Sequence, residues 1–547
     1  MRVKVRRPGS TPVSRSPSIP SSGGEADATS IRETALERLT AADLMQIWPE
    51  DEGWPQDIGA LAILDGGRLL DAEGRFVLEA ARRHIERRLH LVPRFRQLLH
   101  WPGLGRGWPL WVDAQAFDIA HHVGVLPVPP PGDETQLLLA CERLRRRRLD
   151  PSRPLWEMWF LPGLPDGRVG FFMKLHHAVA DGVAGIAALG AFVDPIPEPP
   201  AVDAPPPWIP APMPSGREIL RDNVRRRLRE VDRTVSALAR PVDSLRRIRR
   251  GWPAVRELFA EGRAPRTSVN RRIGSHRRLG IVGGTLEVAK AIGHAHGGTV
   301  NDVLLTALAG GYGDLLRSRR EPVGSLVLRA FVPVSLHREQ SGNAGNLDGG
   351  MVAPLPVGET DDVTRLRRIA AETAERKKKV RPPGGTFFRS VFLQRAFLRL
   401  MPHQRFMNAY VANVPGPPIP LYFAGARVFE LFPVVPIMGN MSIGVGALSY
   451  AGQFNITVVA DWDVCPDLGI FTEGVRRSLG ALECSVGAQP PPLAEARLLM
   501  ARLNERKEPT MSPTFAYIAA VAVLTGIGAV VLTYFGLKRF RPSTPPG

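Results

Sequence analysis

VGFFMKLHHAVADGVAGIAALGAF, Val169 to Phe192, decides how the chain is read. Its first part, VGFFMKLHH, has the apolar run of a buried strand, and VAGIAALGAF that of a helix, so HHAVADG forms the turn between them. Successive side chains on a strand point to opposite faces, so His176 and His177 do not face one ligand while the strand persists. That counts against a two-histidine metal site. One imidazole is left to face a cavity, where its neutral form accepts a proton near neutral pH, and the other to be packed or hydrogen-bonded. Gly182 allows a tight turn that a side chain would obstruct. A second pair, His121 and His122 in IAHHVGVLP, is not followed by Asp-Gly and serves as an internal comparison.

The 547 residues are 44% apolar and 23% charged, which excludes a mostly disordered, collagen-like or disulfide-framed protein. With 71 Lys and Arg against 53 Asp and Glu, the formal charge is +18 and favours anionic partners. No motif supports nucleic acid as that partner. Cys141, Cys465 and Cys484 lie far apart, so neither a zinc cluster nor a disulfide framework is indicated, and a reducing compartment fits.

Residues 1–30 are rich in Arg, Pro, Ser and Gly and lack the apolar stretch of a secretory signal, so a disordered basic tail is expected. Phe515 to Leu537 is 23 residues without a charge, long enough to span a bilayer core of roughly 30 Å. A transmembrane helix over 513–537 is therefore expected, anchoring a cytoplasmic body from its C-terminal end. The Pro-rich stretch Asp194 to Pro214 cannot be regular helix or central strand and divides the chain. Beyond it, apolar residues at 220, 224, 228, 231, 235, 238, 242, 245 and 248 mark an amphipathic helix, bent or broken at Pro241. From Arg217 to Arg250 there are 12 Arg against 5 acidic residues. Such a face suits an anionic bilayer surface, or it packs on the protein with its polar side in water. Thr386 to Met401, apolar with spaced arginines, leaves the same two readings open.

HHAVADG matches the HHxxxDG motif of the CoA-dependent acyltransferase superfamily, and further matches follow in order. They are Pro154, Leu155 and Trp156 in LDPSRPLWE, Asn301 and Asp302 in TVNDVLLTALAGG, FVPVSLHRE, Gly345 and Asn346, NVPGP from Asn413 to Pro417, and SYAGQFNITVVAD leading to Pro466 and Asp467. Over roughly residues 36–485 the chain resembles the bifunctional wax ester synthase/acyl-CoA:diacylglycerol acyltransferase family. The resemblance implies an α/β, two-domain chloramphenicol-acetyltransferase-like fold with a crossover between halves. The halves would be 36–193 and 266–490, joined by a linker and basic crossover helix over 194–265.

The same resemblance implies that His177 is the general base. It takes the proton from a fatty alcohol or diacylglycerol hydroxyl that attacks the thioester of acyl-CoA directly, without an acyl-enzyme. His176 would support it and Asp181 would organise the turn. Asn301 and Asp302 stand at a helix start, where capping is a sufficient reason for them, while an amide at Asn301 is also placed to steady the oxyanion or position substrate. Pro154, Leu155 and Trp156 are structural or line the acyl channel, and Asn413, Pro415 and Gly416 form a packed loop at the tunnel. No bound cofactor or metal is expected; acyl-CoA is a co-substrate, with diacylglycerol or fatty alcohol and membrane lipid as the other partners. Arg145 to Arg148 and Arg376 to Lys379 are candidates for the CoA phosphates. Two other readings stay open, an acyltransferase fed by a carrier-protein thioester and a non-catalytic membrane-tethered lipid carrier.

Overall fold

The computed structural model describes residues 36–180, 185, 188–199, 207–238, 262–335, 348–378 and 391–487. Its strands are β1 (Asp57–Leu64), β2 (Gln97–His100), β3 (Leu110–Asp113), β4 (Val123–Val125), β5 (Trp156–Pro162), β6 (Val169–His176), β7 (Arg277–Thr285), β8 (Val327–Ser335), β9 (Asp348–Pro356), β10 (Ala409–Pro415), β11 (Tyr422–Phe423), β12 (Ala426–Val434), β13 (Ile443–Tyr450) and β14 (Gln453–Asp461). The helices are α1 (Ala41–Ile47), α2 (Leu78–Arg88), α3 (Glu134–Arg146), α4 (Gly216–Leu238), α5 (Leu286–Ala295), α6 (Val300–Ser318), α7 (Asp362–Lys377), α8 (Val391–Leu400) and α9 (Leu468–Ser485).

The strands form two six-stranded mixed sheets, ordered β11-β12-β1-β6-β5-β4 and β7-β14-β13-β10-β8-β9, with β2 and β3 as a separate hairpin. β6 is buried along its whole length, as its near-continuous apolar sequence requires of a strand covered on both faces. It pairs antiparallel with β1 from Asp57 opposite His176 to Leu64 opposite Val169. The approach is so close at Gly59 that a Cβ there would lie 1.9 Å from the Met173 carbonyl oxygen.

The two sheets are interlocked. β11 and β12, made late in the chain, leave the second sheet's sequence neighbourhood and complete the first, with β12 pairing antiparallel to β1 from Gly59 opposite Val434 onward. β12 also faces the second sheet: Asn455 Nδ2 donates to the Leu431 carbonyl at 3.0 Å, and Gln453 Nε2 to that of Phe429 at 2.9 Å. Leu61, Phe172 and Phe432 of the first sheet share one apolar cluster with Leu279, Ile281 and Val459 of the second.

The membrane-spanning helix expected from the sequence is corrected here. Among the described residues no helix is long and apolar enough to cross a membrane, and Phe515 to Leu537 lies outside them, as do residues 1–30. Among the described residues the fold is thus the α/β body of two sheets, and the expected C-terminal anchor is not supported by them. The 19-residue helix α6 is a largely apolar helix of the body. From Asp302 to Leu316 nearly every side chain is buried, so protein, not lipid, covers it on all sides.

Phe432 is fully buried at the seam, so Phe432→Ala is expected to destabilise the protein by about 3–5 kcal/mol. Denaturant unfolding followed by both tryptophan fluorescence and far-UV circular dichroism checks this, and both signals should move to the lower midpoint together.

Candidate active site

The His turn is built by backbone before side chains enter. His176 closes β6, and its N–H donates to the Leu155 carbonyl at 3.0 Å; the next N–H, of His177, donates to the Gln56 carbonyl at 2.9 Å. One residue is thus held by the segment entering β5 and the other by the segment entering β1. The Val179 N–H closes the turn on the His176 carbonyl at 2.8 Å.

Strand alternation separates the two faces. His176, Lys174 and Phe172 share a face of β6 with Asp57 and Leu61 of β1, whereas Leu175, Met173 and Phe171 point the other way into a large apolar cluster. His176 is buried. Its Nδ1 accepts the Ala178 N–H at 3.0 Å, and its Nε2 lies 3.3 Å from Glu50 Oε1. His177 is half-buried in the turn that follows β6.

Glu50 braces both histidines, since its Oε1 also accepts the Gln56 N–H at 3.3 Å, from the residue whose carbonyl holds His177. Burial would raise its carboxyl, but the hydrogen bond and charge of His176, with the Gln56 N–H, hold it below the ordinary carboxylate value. No motif singles out Glu50 or Gln56, because both act through pairings between distant segments.

Behind His176 lies a group of charges, with Asp57, Lys174, Arg145, Arg277 and Asp461 buried and Glu157 half-buried. Lys174 Nζ donates to the Leu144 carbonyl at 3.3 Å and to that of Arg147, closing the C-terminus of α3. Arg277 reaches Asp461 at 3.4 Å. Burial sets their protonation: it raises the Asp57 carboxyl, lowers Lys174 and Arg145, and pushes the Arg277 guanidinium down to about 10.

Other expected site residues are distributed more widely. Leu155 and Trp156 adjoin the His turn, Trp156 lying opposite Leu175. The Trp156 indole donates to the Phe95 carbonyl at 2.8 Å and stacks on Phe95 and His122, at centroid distances of 4.9 and 4.5 Å. His122, of the comparison pair, is thus buried in an aromatic stack. Pro154 is buried beside them.

Asn301 and Asp302 sit in the first turn of α6. Asp302 closes a capping box with Thr299 and accepts the Thr373 hydroxyl at 2.6 Å, so both carboxylate oxygens are engaged away from the His turn. Asn301 is half-buried. Asn413 and Pro415 lie at the end of β10, where a Cβ on Gly416 would come within 2.3 Å of the Ser449 carbonyl oxygen. Val414 packs on the apolar cluster that also holds Leu155 and Trp156. Asp181 and Gly182 lie outside the described residues. Of the arginines expected to meet phosphate, Arg145 is buried, while Arg146 and Arg147 lie over Trp462 and Trp159 at 4.3 and 5.6 Å. Among the described residues no three of His, Cys, Asp and Glu gather as a metal-binding group.

The lowered carboxyl of Glu50 has a definite pH signature. Its stabilising contribution is present above the ordinary carboxylate value and is lost as pH falls through the folded one. Glu50→Gln should therefore be less stable than the parent at neutral pH, with the difference shrinking on acidification. Denaturant midpoints across that range measure it.

Comparison with known proteins follows the same outline. The profile of the wax ester synthase/diacylglycerol acyltransferase catalytic domain matches residues 39–304, and that of the C-terminal domain of the same family matches 344–483. A Mycobacterium tuberculosis H37Rv protein bearing the name diacylglycerol O-acyltransferase is 30% identical over 479 residues, covering 82% of this chain and 91% of its own. A Mycobacterium bovis protein of the same name is 31% identical over 445 residues, covering 78% and 90%. In fold, the chain is similar to the wax ester synthase/diacylglycerol acyltransferase of Marinobacter aquaeolei VT8, with TM-score 0.60, 23% identity and coverage of 82% and 100%. It is also similar to the starter condensation domain of rhizomide synthetase, with TM-score 0.51, 14% identity and coverage of 86% and 99%. Two matched domain profiles, relatives aligned over most of their length and a shared fold place this chain among the acyltransferases of the wax ester synthase/diacylglycerol acyltransferase family.

Proposed function

We propose that the chain moves a long-chain acyl group from acyl-CoA to the hydroxyl of diacylglycerol or a fatty alcohol, with His177 as general base. The observation that carries this reading is the asymmetry of the His turn. His176 is buried and held by Glu50 and the Ala178 N–H, whereas His177, in the turn after β6, is half-buried. A long acyl chain needs an apolar face, and Leu175, Met173 and Phe171 of β6 offer one beside the turn. At Phe171 a small apolar void of about 10 Å³ is lined also by Ala62, Leu64, Leu189, Phe423 and Leu431.

In the proposed reaction, His177 takes the acceptor's proton as its oxygen adds to the thioester carbonyl. The tetrahedral intermediate then collapses, the C–S bond breaks, and the proton passes to the departing CoA sulfur. His176, Glu50 and Gln56 position the turn. Trp156, with Pro154 and Leu155, forms a rigid wall beside it. Asn301 and the Asn413–Pro415–Gly416 segment are assigned to substrate positioning, and Asp302 to holding the start of α6. The division into halves at 36–193 and 266–490, with a crossover over 194–265, belongs to the same proposal.

His177→Ala should lower turnover by about 10²–10⁴-fold without loss of folded structure. Labelled lipid formed from palmitoyl-CoA, with hexadecanol and diacylglycerol supplied separately, measures it and ranks the acceptors. Undiminished product from the variant would remove His177 from the chemistry, and product only from an acyl-carrier protein would change the donor.

A further inference from the structure

The apolar period that marks α4 in the sequence does not point into the protein. The inner face is made by Ile219, 2% exposed, together with Asp222, Asn223 and Arg226. Asp222 pairs with Arg38, whose guanidinium also donates to the Ile219 carbonyl at 2.8 Å. Asn223 Nδ2 donates to the Gly105 carbonyl at 2.8 Å, and Arg226 lies over Trp108 at 5.5 Å. The helix is therefore fixed to the body by one face, and the periodic apolar residues from Leu220 to Val231 are turned outward.

Leu220, Val224, Leu228 and Val231 are 46%, 48%, 65% and 60% exposed. At 3.6 residues per turn they fall within an arc of about 80°. Leu104, next to the glycine that anchors Asn223, is fully exposed, as is much of Trp101 on the same loop, and Ile209 and Met213 are exposed on the segment entering α4. Exposed apolar side chains gathered in this way mark a contact surface. Its charge identifies the partner. Seven arginines fall within α4 against four acidic residues, and one of those, Asp222, is already paired inward. By helical phase Arg227 borders the apolar stripe, where its long stem can lie along apolar surface while the guanidinium reaches outward.

We propose that α4 and the 101–107 loop dock in the plane of an anionic lipid surface, the apolar stripe entering the headgroup boundary and the arginines meeting lipid phosphates without crossing the bilayer. An amphipathic helix with a cationic polar side is the form such contacts take, with each basic residue near an anionic surface adding to the attraction. The arrangement stands apart from the acyl-transfer reading, because binding is measured with no substrate present.

The test uses the purified full chain and vesicles of phosphatidylcholine, with or without phosphatidylglycerol. A polarity-sensitive fluorophore is placed on Leu228→Cys in a Cys484→Ser background, since Cys141 and Cys465 are buried. Its emission should shift to the blue with phosphatidylglycerol vesicles, and the shift should weaken as salt rises. The pair Val224→Asp and Leu228→Asp should lower vesicle partitioning by about tenfold or more. Arg217→Gln, Arg227→Gln and Arg229→Gln together should weaken binding to anionic vesicles only. An unshifted fluorophore, or partitioning unchanged by the aspartate pair, would overturn the proposal. So would concentration-dependent self-association that the aspartate pair abolishes in the absence of lipid, which would assign the face to a protein contact.

Discussion

Two consecutive backbone N–H groups, those of His176 and His177, donate to carbonyls from different parts of the sheet, and the candidate site depends on that arrangement. Leu155 supplies one carbonyl and Gln56 the other, so the turn is fixed by β5 and β1 together. A dipeptide held from both sides cannot rotate freely about its own backbone. The two side chains differ in burial, His176 being enclosed on the charged side of β6 and His177 half-buried in the turn that follows. Glu50 adds a single brace that serves both residues, touching the imidazole of the first and the backbone that holds the second.

The charged interior behind His176 explains why that imidazole belongs to the structure. Removing charge from water is costly, and the residues there offset it through mutual attraction and through carbonyls at the end of α3. Their displaced protonation equilibria record the cost: burial disfavours the charged forms of Asp57, Lys174, Arg145 and Arg277 alike. The opposite face of the same strand carries Phe171, Met173 and Leu175. The charges are therefore confined to the His176 end of one face, and Phe172 and Leu61 continue that face as apolar core.

The sequence made some of this legible. The unbroken apolar run ending in a His pair has the form of a fully buried strand, and the structure places β6 there. Asn301 and Asp302 fall at a helix start because the residue pattern that caps a helix is local. Long-range pairing leaves no such local mark, which is why neither the insertion of β12 nor the role of Glu50 could be read from the chain. Periodicity identified α4 as amphipathic but carries no information on which face meets the body, and here Ile219, outside the periodic set, is the buried residue.

β12 also has a temporal consequence. Its partner on β1 is made roughly 370 residues earlier, as the pairing of Gly59 with Val434 requires. At a synthesis rate of about 5–20 residues per second, one side of β1 waits on the order of 20–75 s for its neighbour. Throughout that interval the nascent chain carries an incomplete, strongly apolar sheet with an open edge, the kind of surface that recruits other strands. The sheet that carries the His turn is therefore completed only once β12 has been made, although the turn's own backbone partners, Gln56 and Leu155, precede it in the chain.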